Sequence, residues 1–148
     1  AIGGLVIGFS VAQALNVRFI WTERQNGEMT LRRGFQVRDD ERILVVEDVI
    51  TTGGSTRECI AALSPANIVA AASIIDRSNG AADVGVPRTA LVSLSVPSYK
   101  PEECPLCSMG IEVVKPGSRT PAKGARSAFY RWTTSAAMSL TMILRSSR

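Results

Sequence analysis

The chain has 148 residues, of which 45% are hydrophobic and 20% are charged, and it contains no histidine. This length and composition are typical of one soluble globular domain, and the absence of histidine excludes Ser-His-Asp and Cys-His hydrolases and histidine-ligated metal sites. The formal net charge of +4 is uneven, because residues 1–119 are close to neutral and the positive excess lies in residues 120–148. The charge therefore does not argue for nucleic acid, and without a long apolar run we expect a cytoplasmic protein.

The first third of the chain predicts a loop, a helix and a strand. Gly3 and Gly4 predict a loop that leads into a helix ending near Leu15. Apolar residues at helical spacing predict the core face of that helix; they are Leu5, Phe9, Ala12 and Leu15. Residues 17–22 are rich in β-prone side chains and predict a strand.

A polar segment follows this strand. Residues 23–33 are mostly polar or charged, Asn26-Gly27 is a turn signal, and residues 35–37 return to β character. A polar loop of this length inside a compact domain is more often functional than idle.

The most informative segment is residues 43–56. Its apolar start, residues 43–46, predicts a buried strand, and Glu47 and Asp48 follow at the expected carboxyl end. The next residues offer hydroxyl groups, free N–H groups and two glycines for a tight turn before a helix over residues 57–63; they are Thr51, Thr52, Gly53, Gly54, Ser55 and Thr56. A helix N-terminus with such donors suits a phosphate group.

Two further strands, over residues 68–75 and 90–96, alternate with the helices. This alternation predicts an α/β fold with a doubly wound, mainly parallel sheet flanked by helices. Cys59 is expected in the core, and Cys104-Pro105-Leu106-Cys107 is either a reduced turn, a redox pair or half of a zinc site. The basic tail, residues 120–148, is expected to be disordered or unrelated to the domain of residues 1–119, apart from one short helix over residues 136–144.

Residues 47–55 closely resemble the phosphoribosyl pyrophosphate (PRPP) signature of the type I phosphoribosyltransferases, in its orotate phosphoribosyltransferase version. Three more segments agree in order: residues 1–4 with the pyrophosphate loop, residues 22–35 with the mobile catalytic loop, and residues 74–78 with the orotate-binding strand end. The resemblance implies that the protein transfers ribose 5-phosphate from PRPP to orotate with Mg²⁺, as a homodimer whose mobile loop serves the neighbouring site.

The resemblance also implies roles for individual residues. Arg24, Glu47 and Asp48 would be catalytic, with the two acids at the ribose or at Mg²⁺, and Thr51 and Arg77 would bind orotate. The PRPP-binding set would be Ala1, Ile2, Gly3, Gly4, Arg24, Glu47, Asp48, Val49, Ile50, Thr51, Thr52, Gly53, Gly54 and Ser55. The alternative for Asp76 and Arg77 is a neighbouring surface pair, and the alternative for Arg32 and Arg33 is strand-edge charge.

Two departures from the family pattern affect these expectations. Relatives commonly carry a lysine in the mobile loop, but here Glu28 stands near that place and the first lysine is Lys100. Relatives also carry an N-terminal hood over the base, so the resemblance implies an N-terminally truncated fragment that is weakly active or inactive alone. A purine or uracil phosphoribosyltransferase and a non-catalytic PRPP-binding regulator remain as alternatives.

Overall fold

The structure is a computed structural model that describes residues 2–97, 99–111 and 140–144, with the backbone alone for residues 2, 3, 101 and 140–144. The chain divides into two compact units. The first unit comprises residues 1–95 with 136–148, and the second comprises residues 96–135. The predicted domain boundary at residue 119 lies outside the described residues and stays a prediction.

In the part of the first unit that the structure describes, there are two helices and six strands. The helices are α1 (Ile2–Leu15) and α2 (Gly54–Ala62). The strands are β1 (Arg18–Gln25), β2 (Glu28–Leu31), β3 (Arg42–Ile50), β4 (Asn67–Asp76), β5 (Arg88–Ser93) and β6 (Leu140–Leu144).

The strands form one sheet in the order β2-β1-β6-β3-β4-β5. Strands β3, β4 and β5 pair in parallel, whereas β6 is antiparallel to both β1 and β3. Strands β1, β3, β4 and β5 therefore run in one direction, and β2 and β6 run against them. This confirms the predicted α/β class, in which the parallel part of the sheet is β3, β4 and β5.

The core lies on both faces of the sheet. On one face, Ile43 and Val45 of β3 belong to a buried cluster with Cys59 and Leu63 at α2. On the other face, Val46 packs with Ala12 of α1. Successive side chains of a strand point to opposite faces, so α1 and α2 cover opposite faces, as a doubly wound fold requires. The core position predicted for Cys59 is confirmed, since this residue is fully buried.

The predicted core face of α1 is partly wrong. Ala12 is buried, but Phe9 and Leu15 are 57% and 48% exposed. The face towards the sheet instead carries Gly4, Gly8 and Ala12, which recur every four residues and are all buried. Small side chains at this spacing let a helix lie close to the strands. Because both faces of α1 carry apolar residues, the sequence pattern did not show which face packs on the sheet.

Two further element predictions are wrong. Residues 35–37 form no strand, although Phe35 and Val37 pack against the core. The helix predicted over residues 136–144 is replaced at Leu140–Leu144 by strand β6, whose backbone pairs with two neighbouring strands. Pairing on both sides satisfies the backbone donors and acceptors of this short segment without helix formation.

The described part of the second unit contains a 3₁₀ turn, Pro101–Glu103, and a short helix α3, Pro105–Ser108. None of the helices within residues 2–97 and 99–111 is long and apolar enough to cross a membrane.

Candidate active site

The centre of the candidate site is the end of β3. The strand continues to Ile50, four residues beyond the apolar run, so Glu47 and Asp48 lie within the strand and not after it. The chain bends over Thr51, Thr52 and Gly53 before α2 begins at Gly54. The predicted succession of strand, polar turn and helix is confirmed, with the acid pair inside the strand.

The two acids project to opposite faces of the sheet, because side chains alternate along a strand. Glu47 shares the α2 face with Val45, is 1% exposed, and accepts a long hydrogen bond of 3.5 Å from Ser55 Oγ. Asp48 shares the α1 face with Val46, is partly buried, and accepts a hydrogen bond of 2.9 Å from the N–H of Val49. A ligand that uses both carboxylates must therefore reach both faces of the sheet near the end of β3.

Gly53 is the position where the turn requires glycine. It precedes α2 with φ 73° and ψ 6°, in the left-handed region that residues with a side chain rarely adopt. A Cβ atom built there would lie 2.8 Å from Val84 Cγ1 and 3.3 Å from the carbonyl oxygen of Asp83. Both the backbone angle and the close approach of the next loop exclude a larger residue.

The turn after β3 and the loop after β4 are tied to each other. Arg57 Nη1 donates a hydrogen bond of 3.1 Å to the Thr52 carbonyl and another to the Asp83 carbonyl. The Arg77 N–H donates a bond of 2.8 Å to the Ile50 carbonyl. The turn over residues 51–53 and the loop that begins at Arg77 are therefore held together at this end of the sheet. Sequence reasoning missed Arg57, because nothing in its local pattern shows a contact 26 residues away.

Asp76 organises the loop after β4. Its buried carboxylate accepts hydrogen bonds from the N–H and the hydroxyl of Ser78, at 2.7 and 2.6 Å, and from the Gly80 N–H at 2.9 Å. Arg88 Nη1 donates a further bond of 2.8 Å. The bonds from Ser78 and Arg88 hold the pKa of the Asp76 carboxyl well below its usual range. The sequence carried a signal for this arrangement, since Asp76 stands two residues before Ser78-Asn79-Gly80 and an Asx turn bonds the N–H two residues on.

Arg77 points away from this cluster. Its residue is exposed, and no side chain within residues 2–97 and 99–111 forms an ion pair with its guanidinium. The alternative of an Asp76–Arg77 surface pair is wrong, because Asp76 is buried and pairs with Arg88. Thr51 is also exposed, on the turn joined to Ile50.

The N-terminus of α1 lies at the same edge of the sheet. Helix α1 ends just before β1, and β1 runs parallel to β3, so the helix starts near the carboxyl ends of the strands. The loop predicted at residues 3 and 4 is wrong, because the structure places Ile2, Gly3 and Gly4 in the first turn of α1. Ala1 lies outside the described residues. The N–H groups of this first turn have no partner within the helix.

Residues 22–31 belong to a β-hairpin, where a mobile loop was predicted. The turn at Asn26-Gly27 is confirmed, with φ 53° and 91°. Arg24 lies against α2, where it donates hydrogen bonds to Glu58 and, at 2.6 Å, to the Gly27 carbonyl. The structure thus holds Arg24 against α2, with 18% of its side chain exposed.

Glu23 forms ion pairs with the two other arginines of this segment. Arg33 Nε donates to it at 2.6 Å and Arg32 Nη1 at 3.4 Å, while the Trp21 indole donates at 3.2 Å. The Arg33 bond lowers the pKa of the Glu23 carboxyl. In this conformation Arg32 and Arg33 lie just after the hairpin and pair with Glu23, which favours the alternative of strand-edge charge for them.

Within residues 2–97 and 99–111, no group of three or more acidic or cysteine side chains could hold a metal ion by itself. Glu47 and Asp48 could still contribute to a cation that arrives with a phosphate ligand, because Mg²⁺ commonly takes one or two carboxylates together with water and substrate oxygens.

A search of family models found no match. Individual relatives are nevertheless close. The chain is 54% identical over 121 residues to the orotate phosphoribosyltransferase of Pelotomaculum thermopropionicum, a match that covers 80% of the chain and 64% of the relative. It is 52% identical to the enzyme of that name from Heliobacterium modesticaldum, covering 81% and 64%, and 52% identical to that from Thermotoga maritima, covering 80% and 65%.

The chain is homologous to the orotate phosphoribosyltransferases. Identity above 50% across 80% of the chain confirms the resemblance that the four sequence segments indicated. The chain spans just under two thirds of the length of these orotate phosphoribosyltransferases.

Proposed function

We propose that this chain carries the PRPP and orotate sites of an orotate phosphoribosyltransferase, an enzyme of pyrimidine biosynthesis. The reaction transfers ribose 5-phosphate from PRPP to orotate and releases pyrophosphate. The observation that carries the proposal is the edge formed by the Thr52–Gly53 turn and the Arg77 loop, braced by Arg57 and preceded by the Glu47-Asp48 pair.

PRPP carries two anionic groups, and two helix N-termini face this edge from opposite sides of the sheet. The turn from Thr51 to Ser55 and the first turn of α2 offer N–H and hydroxyl donors to the 5-phosphate, with Val49 and Ile50 as the supporting strand end. The first turn of α1, with Ala1, Ile2, Gly3 and Gly4, would hold the pyrophosphate.

The ribose would then lie across the tip of β3, between Glu47 and Asp48. Departure of pyrophosphate leaves positive charge on the anomeric carbon, as in glycoside hydrolysis. Two carboxylates on either side of the sugar favour this charge and can accept hydrogen bonds from its hydroxyls. The opposite projection of the two acids agrees with a sugar that bridges the strand.

Arg77 would recognise orotate. Its exposed guanidinium is not committed to a carboxylate of the described residues, and its backbone is fixed by the bond from its N–H to Ile50. A guanidinium matches the two oxygens of a carboxylate, which orotate has and uracil lacks. Thr51, exposed on the neighbouring turn, would contribute a hydroxyl to the base.

Magnesium fits this site as a partner of PRPP. Glu47 and Asp48 would hold it directly or through water, and the cation would neutralise part of the pyrophosphate charge. The proposal includes a homodimer, in which Arg24 from the hairpin of one subunit would reach the leaving pyrophosphate of the other, and a cytoplasmic location. Arg24 would have to leave Glu58 for that role.

Binding measurements on the chain test the proposal directly. Titration with PRPP and Mg²⁺ should raise the melting temperature of the protein, because a ligand that binds only the folded state stabilises it. Orotate should bind to the PRPP-loaded protein more tightly than uracil or hypoxanthine. Absence of any PRPP effect, or a preference for uracil or a purine, would contradict the assignment.

Arg77→Ala separates the base site from the phosphate site. We expect it to weaken orotate binding by a factor of roughly 10 to 100 while PRPP binding changes little. Arg42→Ala is the control, since it removes an exposed arginine at the opposite end of β3. Loss of PRPP binding in Arg77→Ala but not in Arg42→Ala would mean that Arg77 supports the structure of the site and does not act on the base alone.

A further inference from the structure

The two cysteines of the second unit form a compact structural feature that the proposed transfer reaction does not use. Cys104 is the residue before α3, and Cys107 is the third residue of that single-turn helix. Between Glu102 and Ile111 these two residues alone are partly buried, and the other residues of the segment are exposed. The two thiols interact, and each shifts the pKa of the other.

Backbone hydrogen bonds fix the turn that carries the two cysteines. The Ser108 N–H donates a bond of 3.0 Å to the Cys104 carbonyl, and the Gly110 N–H one of 3.0 Å to the Cys107 carbonyl. Ile111 closes the turn with a bond of 3.1 Å from its N–H to the Leu106 carbonyl. Two cysteines that are three residues apart on such a turn can form a disulfide without unfolding the helix.

The surroundings distinguish the two thiols. Hydrogen bonding from the N–H and thiol of Cys107 and from the Leu106 N–H lowers the pKa of the Cys104 thiol. The same contact raises the pKa of the Cys107 thiol, because Cys107 is the donor. Since the thiolate is the nucleophile in thiol chemistry, Cys104 is the attacking residue and Cys107 the second, resolving one.

We propose that Cys104 and Cys107 form a redox-active dithiol that is oxidised to an intramolecular disulfide by low-molecular-weight disulfides. The Cys104 thiolate attacks one sulfur of the small disulfide, a bond forms between them, and one small thiolate leaves. Cys107 then loses its proton, attacks the Cys104 sulfur and displaces the second small thiolate. The protein gives up two electrons and two protons, and the small disulfide becomes two thiols.

Cys59 offers an internal comparison. It is fully buried, and the Thr22 hydroxyl donates a bond of 3.4 Å to its sulfur. Its thiol is therefore inaccessible in the folded protein and should stay reduced under conditions that oxidise the other two.

The test exposes the full chain to oxidised glutathione, followed by alkylation of remaining thiols and peptide mass analysis. We expect a linked peptide that contains Cys104 and Cys107, with Cys59 alkylated only after unfolding. Under short treatment with iodoacetamide, the reduced chain should be modified at Cys104 roughly tenfold faster than at Cys107. In Cys107→Ser, the reaction should stop at the mixed disulfide between Cys104 and glutathione. In Cys104→Ser, the corresponding mixed disulfide at Cys107 should form more slowly.

Three results would overturn the proposal. One is the absence of the linked peptide in the folded wild-type chain, which needs no variant. Another is equal alkylation of Cys104 and Cys107. The third is tightly bound zinc, about one ion per two chains, that protects both thiols until a chelator removes it, because this would assign the pair to a metal site shared by two copies. None of these outcomes depends on PRPP or orotate.

Discussion

Arg88 Nη1 lies 2.8 Å from Asp76 Oδ2, and both side chains are nearly inaccessible, at 14% and 2% exposed. Arg88 also donates to the Ala82 carbonyl at 2.7 Å and to the Ser78 hydroxyl at 3.2 Å. This arginine, at the start of β5, therefore determines the path of the loop that leaves β4 with Arg77.

Replacing Arg88 with methionine should destabilise the protein, because it leaves the Asp76 carboxylate buried without its cation. We expect the midpoint of thermal unfolding to fall by roughly 10 °C. Arg42→Met is the control, since it removes an exposed arginine that forms no ion pair with another described residue, and exposed charges contribute little to stability. Equal effects of the two substitutions would show that the Asp76 cluster does not depend on Arg88.

The same cluster predicts how stability depends on pH. The bonds from Ser78 and Arg88 hold the Asp76 pKa below its usual range, whereas in the unfolded chain it is about 3.9. The stabilisation is therefore complete above about pH 4 and is lost as the pH falls further, towards the pKa of the folded state. The free energy of unfolding in urea should be measured between pH 6 and pH 3, an interval that spans the ordinary pKa of roughly 4. It should fall less for Asp76→Asn than for the wild type. Asp39→Asn, which removes an exposed carboxylate, should keep the wild-type slope.

Gly53→Ala tests whether the turn before α2 has room for a side chain. The added methyl group would lie 2.8 Å from Val84 Cγ1. Gly34→Ala is the matched control, because Gly34 has a similar φ of 72° but no atom within 4 Å of its Cβ position. Both variants carry the cost of the left-handed backbone, so Gly53→Ala should be less stable than Gly34→Ala by about 1–3 kcal/mol in urea unfolding. It should also lose PRPP binding.

Glu58→Gln tests the position of Arg24. The substitution removes the carboxylate that holds this arginine against α2, so Arg24 becomes available to an anion. If Arg24 binds pyrophosphate, the affinity for pyrophosphate measured by calorimetry should rise. We expect a factor of about 2 to 5, because the ion pair with Glu58 no longer competes. Glu28→Gln removes an exposed carboxylate from the same hairpin and controls for net charge. A similar rise in both variants would point to a general charge effect.

Local sequence was sufficient for the features that depend on neighbouring residues. The apolar run before Glu47, the glycine turn at Gly53 and the Asn26-Gly27 turn were all predicted correctly, because burial of a strand and positive φ angles limit the residues that fit. The resemblance to orotate phosphoribosyltransferases rested on the same short segments, and the relatives confirm it.

Tertiary structure decided what depends on distant parts of the chain. The sequence could not show that Asp76 would pair with Arg88, that Arg57 would reach the Asp83 carbonyl, or that Arg24 would lie against Glu58. It also misplaced the buried face of α1, since Gly8 and Phe9 could each have faced the sheet until packing selected the smaller residue. Local patterns specify backbone conformation and burial within one element, whereas partners across the sheet edge are chosen only when the strands and loops come together.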